Sequence, residues 1–172
     1  MKKIFSFYAI LGLLFLLSVA LNAYTDTKTT GNQYSFVTAA GQAGMAEVEL
    51  ANLALSKSQN EDVKQFAQMM ITDHGKANDE LKGLAVQKKY EFPIDVNMTQ
   101  KALAENLSKL SGAAFDREYT KAMVTDHEAA VKLFSNESKT GKDAELKTWA
   151  LATLPTLKTH LQQAQALQAK LK

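Results

Sequence analysis

Four residues carry the chemistry this sequence can offer: Glu47, His74, His127 and His160. Each interrupts an otherwise apolar row whose spacing alternates between three and four, the period of a helix stripe facing a core. The chain has 3 histidines, and all of them fall on such rows. Neutral imidazole offers a nitrogen lone pair, and a carboxylate balances part of a cation's charge. Three imidazoles and one carboxylate therefore suit one divalent transition-metal ion: zinc, iron or copper. Met70 and Met123 lie one turn before His74 and His127 on the same rows, and thioethers there would favour Cu(I). The same four residues also suit a metal-free polar network in which a histidine partners the glutamate.

Two of the histidines close an echo. Met70-Ile71-Thr72-Asp73-His74 returns as Met123-Val124-Thr125-Asp126-His127, which suggests two related helical hairpins. One residue is about 100° of helical turn, so Asp73 and Asp126 leave the seam. They are expected as surface groups or as supports for the ligands, not as ligands.

Other chemistries find no footing. Diiron bundles use Glu-x-x-His on two helices, whereas the residues three before the histidines are Ile71, Val124 and Leu157. There is no cysteine, hence no disulfide or thiolate site. A Gly-rich phosphate loop, a His-Glu-x-x-His helix and a nucleophile elbow around any serine are absent from the sequence. No basic patch with interleaved aromatics occurs, so nucleic acid is not an expected partner.

The elements that must position these residues are helices. Gly 8 and Pro 2 are low, and Ala, Leu, Lys and Gln favour helix. A first helix is predicted from Ser35 to Ser58, with the seam Phe36, Ala40, Ala43, Glu47, Leu50 and Ala54; Glu49 falls on its solvent side. Ser58 and Glu61 have capping-box spacing. A second helix runs to Lys89 with the seam Val63, Ala67, Met70, His74, Ala77, Leu81 and Leu84. A short helix, Thr99 to Leu110, follows with Thr99 as its cap. The next long helix, Ala113 to Lys139, carries Thr120, Met123, His127, Ala130 and Phe134 inward and ends at Gly141. The last, Asp143 to Leu171, holds Leu146, Ala150, Thr153, Leu157, His160, Ala164 and Leu167 in one row. Pro155 should kink it, with Thr153, Thr156 and Thr159 compensating for the lost bond.

These elements predict an all-α, ferritin-like four-helix bundle with a short extra connecting helix, the connector being long enough to cross the bundle. A simple up-down-up-down bundle stays open. At a rise of about 1.5 Å per residue, Glu47 and His74 both lie roughly 20 Å from the turn near Asn60. His127 and His160 reach mid-bundle in either topology, so all four residues can meet.

The N-terminus reads as an export signal over residues 1–23, with Lys2 and Lys3 ahead of an apolar run from Ile4 to Val19 and small-residue cleavage near Ala20 or Ala23. An uncleaved membrane anchor is the alternative, and no later stretch is apolar enough to span a bilayer. Residues 24–34 form a polar, flexible lead-in, and 35–172 the bundle domain. The whole chain has 20 basic and 18 acidic residues. Loss of Lys2 and Lys3 leaves 18 against 18, so the mature protein is formally neutral.

Motifs along the whole mature chain carry a family resemblance: Phe36-Val37 through Gly44, Glu47-Val48-Glu49-Leu50, Leu53-Ala54, Val63-x-x-Phe66-Ala67, Met70 and Asp73-His74. Ser111-Gly112-Ala113-Ala114-Phe115-Asp116, Tyr119, Asp126-His127-Glu128 and Leu154-Pro155-Thr156-Leu157-x-x-His160-Leu161 complete the set. From about Tyr34 to Leu167 the chain resembles the bacterial domain-of-unknown-function 4142 family. That resemblance implies a ferritin-like bundle in an exported bacterial protein and carries over no established activity. Family members are often labelled outer-membrane proteins, but predicted helices without barrel strands fit the periplasm better. The expectation is an exported helical bundle of unknown specific activity, a non-enzymatic periplasmic binding or envelope-stress protein; a mid-bundle metal site at Glu47, His74, His127 and His160 is the secondary hypothesis beside a metal-free polar network. The alternative is a ferritin-like metal-dependent oxidoreductase or metal-storage protein. Partner proteins are unspecified, and a homo-oligomer stays open.

Overall fold

The computed structural model describes residues 35–171; the predicted signal and the lead-in through Tyr34 lie outside the described residues. Among these there are five helices: α1 over 35–57, α2 Glu61–Lys88, α3 Met98–Ser108, α4 Gly112–Thr140 and α5 Ala144–Lys170. The four long ones form the predicted bundle, and α3 is the connecting helix.

Contacts along each pair give the helix directions. Phe66 meets Tyr119 and His74 meets His127, so α2 and α4 run parallel. Asp62 pairs with Lys170, Asp73 with His160 and Glu80 with Trp149, so α5 runs against α2. Phe36 against Phe134 and Glu47 against His127 set α1 antiparallel to α4. Two parallel helices joined by one connector require that connector to travel the bundle's length. This is the crossover arrangement, and it settles the topology that periodicity alone leaves open. The lengths agree: α2 spans about 42 Å at 1.5 Å per residue. Residues 89–97, extended, supply about 30 Å and α3 about 16 Å.

The inward rows hold. On α2, Val63, Ala67, Met70, His74 and Leu81 are buried, with Ala77 and Leu84 half-buried. On α4 all five predicted positions are buried. The apolar residues divide into two clusters. One gathers Leu50, Val63, Met70, Phe115, Met123 and Leu167; the other gathers Phe36, Leu81, Phe134, Leu146 and Leu157. Every long helix passes from one cluster to the other, and its polar seam residue lies at the crossing.

Helix ends differ from the sequence expectation. Asn60, not Ser58, caps α2 by accepting from the Asp62 and Val63 amides, while Ser58 Oγ accepts from the Asn60 amide instead of pairing with Glu61. Asn97 and Gln100 form the reciprocal capping box of α3 in place of a Thr99 cap. Lys89 adopts the left-handed conformation that ends α2 (φ 58°). Gly141 ends α4 at φ −53°, so this stop needs no left-handed residue. The helix continues through Pro155 without a break. Thr153 and Thr159 bond the carbonyls of Trp149 and Pro155, so neither replaces the bond that Pro155 denies Leu151. Leu151 is exposed, where water can serve its carbonyl.

The crossing connector lies tight on α1 at Gly41. A Cβ there would stand 2.8 Å from Pro93 Cγ and 2.9 Å from Phe92 Cε2, whereas one at Gly83 of α2 would meet nothing within 4 Å. Two Gly→Ala changes should therefore have opposite signs in urea unfolding. Gly83→Ala gains about 0.5–1 kcal/mol from helix propensity. Gly41→Ala loses about 1–3 kcal/mol to overpacking. Equal effects would contradict the close crossing.

Candidate metal centre

His74 from α2, His127 from α4 and His160 from α5 form a nearly equilateral triangle. Their ring centroids are 5.4, 5.3 and 5.4 Å apart. One ring nitrogen of each lies within 4.8 Å of the others. His74 Nε2 and His127 Nε2 are 3.4 Å apart. All three residues are buried, with exposures of 7, 0 and 2%. They reach one point because each occupies the inward row of its helix at the same depth, between the two apolar clusters.

Glu47, the fourth predicted residue, lies on the other side of His127. Its Oε1 is 3.4 Å from His127 Nδ1, while the His127 nitrogen facing His74 is Nε2. The structure thus brings the three histidines together as one group and sets Glu47 against the back of one of them.

Hydrogen bonds fix the tautomers. His127 Nδ1 lies 2.9 Å from the Met123 carbonyl, which can only accept. Nδ1 therefore carries the hydrogen and Nε2 the lone pair. His160 Nε2 lies 2.9 Å from Asp73 Oδ2, so it donates and leaves the lone pair on Nδ1. That Nδ1 is buried with no hydrogen-bond partner. A carboxylate behind an imidazole is the usual way to orient a metal-binding histidine and raise its basicity.

Asp73 and Asp126 do leave the seam, as their phase requires, but neither is idle. Asp73 reaches the histidine of α5, and half-buried Asp126 comes close enough to Glu47 for their charges to repel. Two groups went unanticipated. Tyr119, two turns before His127, is fully buried with an unpartnered hydroxyl, and its ionisation is opposed by burial and by Glu47. The Asp73–His160 bond joins residues 87 apart. Helical phase hinted at Asp73, but no local signal names its partner.

Electrostatics keep the layer neutral. Burial, then His127 and His160, lower His74 from 6.5 to about 3. Burial, opposed by the Met123 carbonyl and aided by His160, lowers His127 to about 4. His160 is also lowered by burial, with Asp73 opposing. Burial, reinforced by Asp126, raises Glu47 well above 4.5. At neutral pH the imidazoles thus present lone pairs, and the Glu47–His127 contact is no conventional ion pair.

The signs predict a two-sided pH profile for the metal-free protein. Depressed histidines contribute stability that is present above 6.5 and lost as pH falls toward about 4 and 3. Raised Glu47 contributes stability present below 4.5 and lost as pH climbs through its folded value. In urea unfolding between pH 4 and 9, Glu47→Gln should gain on the wild type as pH rises, while the acid-side loss persists. A constant difference between the two proteins across that range would rule out a raised Glu47.

Three buried imidazole nitrogens within 4.8 Å of one another could hold a metal ion, and one pair of them already has ligand spacing. Two nitrogens bound at about 2.0–2.1 Å with tetrahedral angles lie about 3.3–3.4 Å apart, which is the observed His74–His127 separation. No curated protein matches the sequence. Solved structures match the fold. The chain superposes on a DUF305 fragment from Deinococcus radiodurans with a TM-score of 0.71 at 15% identity, covering 80% of this chain and 95% of that one. It superposes on CopM in its Cu(II)-bound form with a TM-score of 0.68 at 20% identity, covering 81% and 97%. For CopM in its Cu(I)-bound form the values are 0.65, 22%, 77% and 92%. At such identity the likeness is one of fold. The family described as a domain of unknown function, DUF4142, matches residues 19–167, and the chain belongs to it.

Proposed function

We propose that this chain is an exported, periplasmic binding protein that holds one transition-metal ion, with copper the favoured ion. His74, His127 and His160 are the nitrogen donors, and Glu47 is the carboxylate that steadies His127 and offsets the cation's charge. One observation carries this reading: three buried, neutral imidazoles converge, and His160 Nδ1 among them has no partner. A purely structural histidine would have its nitrogens satisfied.

Copper is supported by two lines. Among divalent first-row ions Cu(II) binds nitrogen donors most tightly, and Cu(I) is favoured by thioethers. Met70 and Met123, both fully buried, lie one turn from the histidines. The structural neighbour CopM was solved with Cu(II) and with Cu(I). Periplasmic location is supported by the signal-like N-terminus. No helix among the described residues is long and apolar enough to cross a membrane.

The test uses the mature chain without a histidine tag. After incubation with Zn(II), Fe(II), Cu(II) or Cu(I) and gel filtration, elemental analysis should find one equivalent of copper. His74→Ala, His127→Ala and His160→Ala should each abolish stoichiometric retention while circular dichroism shows an intact bundle. Asp73→Asn should weaken affinity by roughly 10–100-fold through loss of orientation. Sub-stoichiometric metal with all four ions would sink the proposal.

A further inference from the structure

We propose that the cleft between α1, α3 and α4 is a second cation site, which takes a hard divalent ion of the Mg(II), Ca(II) and Mn(II) class. Asp126 and Glu47 hold the ion through carboxylate oxygens, and it keeps several of its waters. This site is separate from the histidine triangle and goes beyond the copper reading. The buried ring of His127 stands between the two: its Nδ1 lies at Glu47 and the Met123 carbonyl, and its Nε2 at His74. The cleft has a volume of about 270 Å³. A divalent ion with six waters needs roughly 180 Å³ at about 30 Å³ per water, so the ion fits with its shell. Short side chains, among them Ala43, Ala46 and Ala129, leave that room.

Two independent observations point to a cation. The first is an open donor atom. Glu47 lines the cleft yet is only 3% exposed; its Oε1 is turned to His127, and its Oε2 is buried with no hydrogen-bond partner. The second is uncompensated charge. Half-buried Asp126 lines the same cleft from the neighbouring helix, close enough to oppose ionisation of Glu47. No lysine or arginine lines the cleft, so its wall offers no cation to either carboxylate. Gln100 of the connecting helix is the third polar group. Its Oε1 accepts from the Asn97 amide at 2.9 Å, which fixes the side chain and leaves one lone pair to accept from a bound water. One or two carboxylates with retained waters are the usual holder of a small hard cation. The bundle would then sort metals by donor type, nitrogen in the triangle and oxygen in the cleft.

Mn(II) chloride is the probe, because its paramagnetic resonance signal counts the free ion. The mature chain without a histidine tag, His74→Ala, Asp126→Asn and Glu47→Gln are titrated with it, and excess Mg(II) or Ca(II) chloride is then added. The wild type and His74→Ala should each bind one Mn(II) with a Kd of about 10⁻⁴–10⁻³ M, the range of extracellular calcium modules. Mg(II) or Ca(II) should displace it. Asp126→Asn and Glu47→Gln should each weaken Mn(II) by roughly tenfold or more, with circular dichroism showing an intact bundle. No Mn(II) on the wild type at millimolar concentration would overturn the second site. So would loss of Mn(II) in His74→Ala with retention in Asp126→Asn, which would put the ion in the triangle. Mn(II) binding by a wild type that retains no copper would remove the triangle's reading and uphold the cleft.

Discussion

The structure depends on one buried polar layer that must satisfy itself at mid-bundle. His127 is 0% exposed and has Phe66 edge-on to its ring. Above and below are clusters made almost wholly of apolar side chains. A slide of any long helix by one turn, about 5.4 Å, would push its histidine or glutamate into one of those clusters. Leaving a polar group there unbonded costs about 1–3 kcal/mol. The layer therefore fixes the relative depth of the four helices, a register that Leu, Ala and Val rows would specify only loosely.

The crossover explains the echo. Helices α2 and α4 run parallel and face each other across the core, so the same pentapeptide delivers both histidines at one depth. It also turns Asp73 and Asp126 in the same rotational sense. Asp73 then meets α5 at His160, and Asp126 meets α1 beside Glu47. The layer is thus pseudo-twofold about the bundle axis, with Glu47 occupying the position equivalent to His160. A duplicated hairpin would instead repeat helices of the same rank. Here the echo joins the second helix of one hairpin to the first of the next, so the expectation of two related hairpins fails. The match reflects an equivalent place in the layer.

Much of this was legible because helical period decides which face is buried. The seams on α2, α4 and α5 and the convergence of the three histidines follow from spacing and rise alone. Period does not say which neighbour a face meets, so topology, the Asp73–His160 bond and the stance of Glu47 behind His127 had to come from the fold. Caps were missed for a different reason. Ser58 and Asn60 stand two residues apart, both able to bond an amide, and the path of the chain decides between them. Asn60 takes the helix end and Ser58 takes the turn before it.

The layer's energetics support a ligand more than a structural plug. A network evolved only to hold helices in register would close its hydrogen bonds, since each open one subtracts from a small net stability. Here two atoms of the layer, His160 Nδ1 and Glu47 Oε2, are buried and open. His160 Nδ1, with Nε2 donating to Asp73, is an electron-pair donor. Burial favours the neutral form of the three histidines and of Glu47, which lowers the charge of the metal-free core. A cation bound there, as proposed, would change the sign of that arrangement: it would occupy imidazole lone pairs and make ionisation of Glu47 more favourable. If the proposed ion binds, the groups that oppose charge in the metal-free layer would stabilise the complex, and ion binding and folding stability would be coupled through Glu47 and His127.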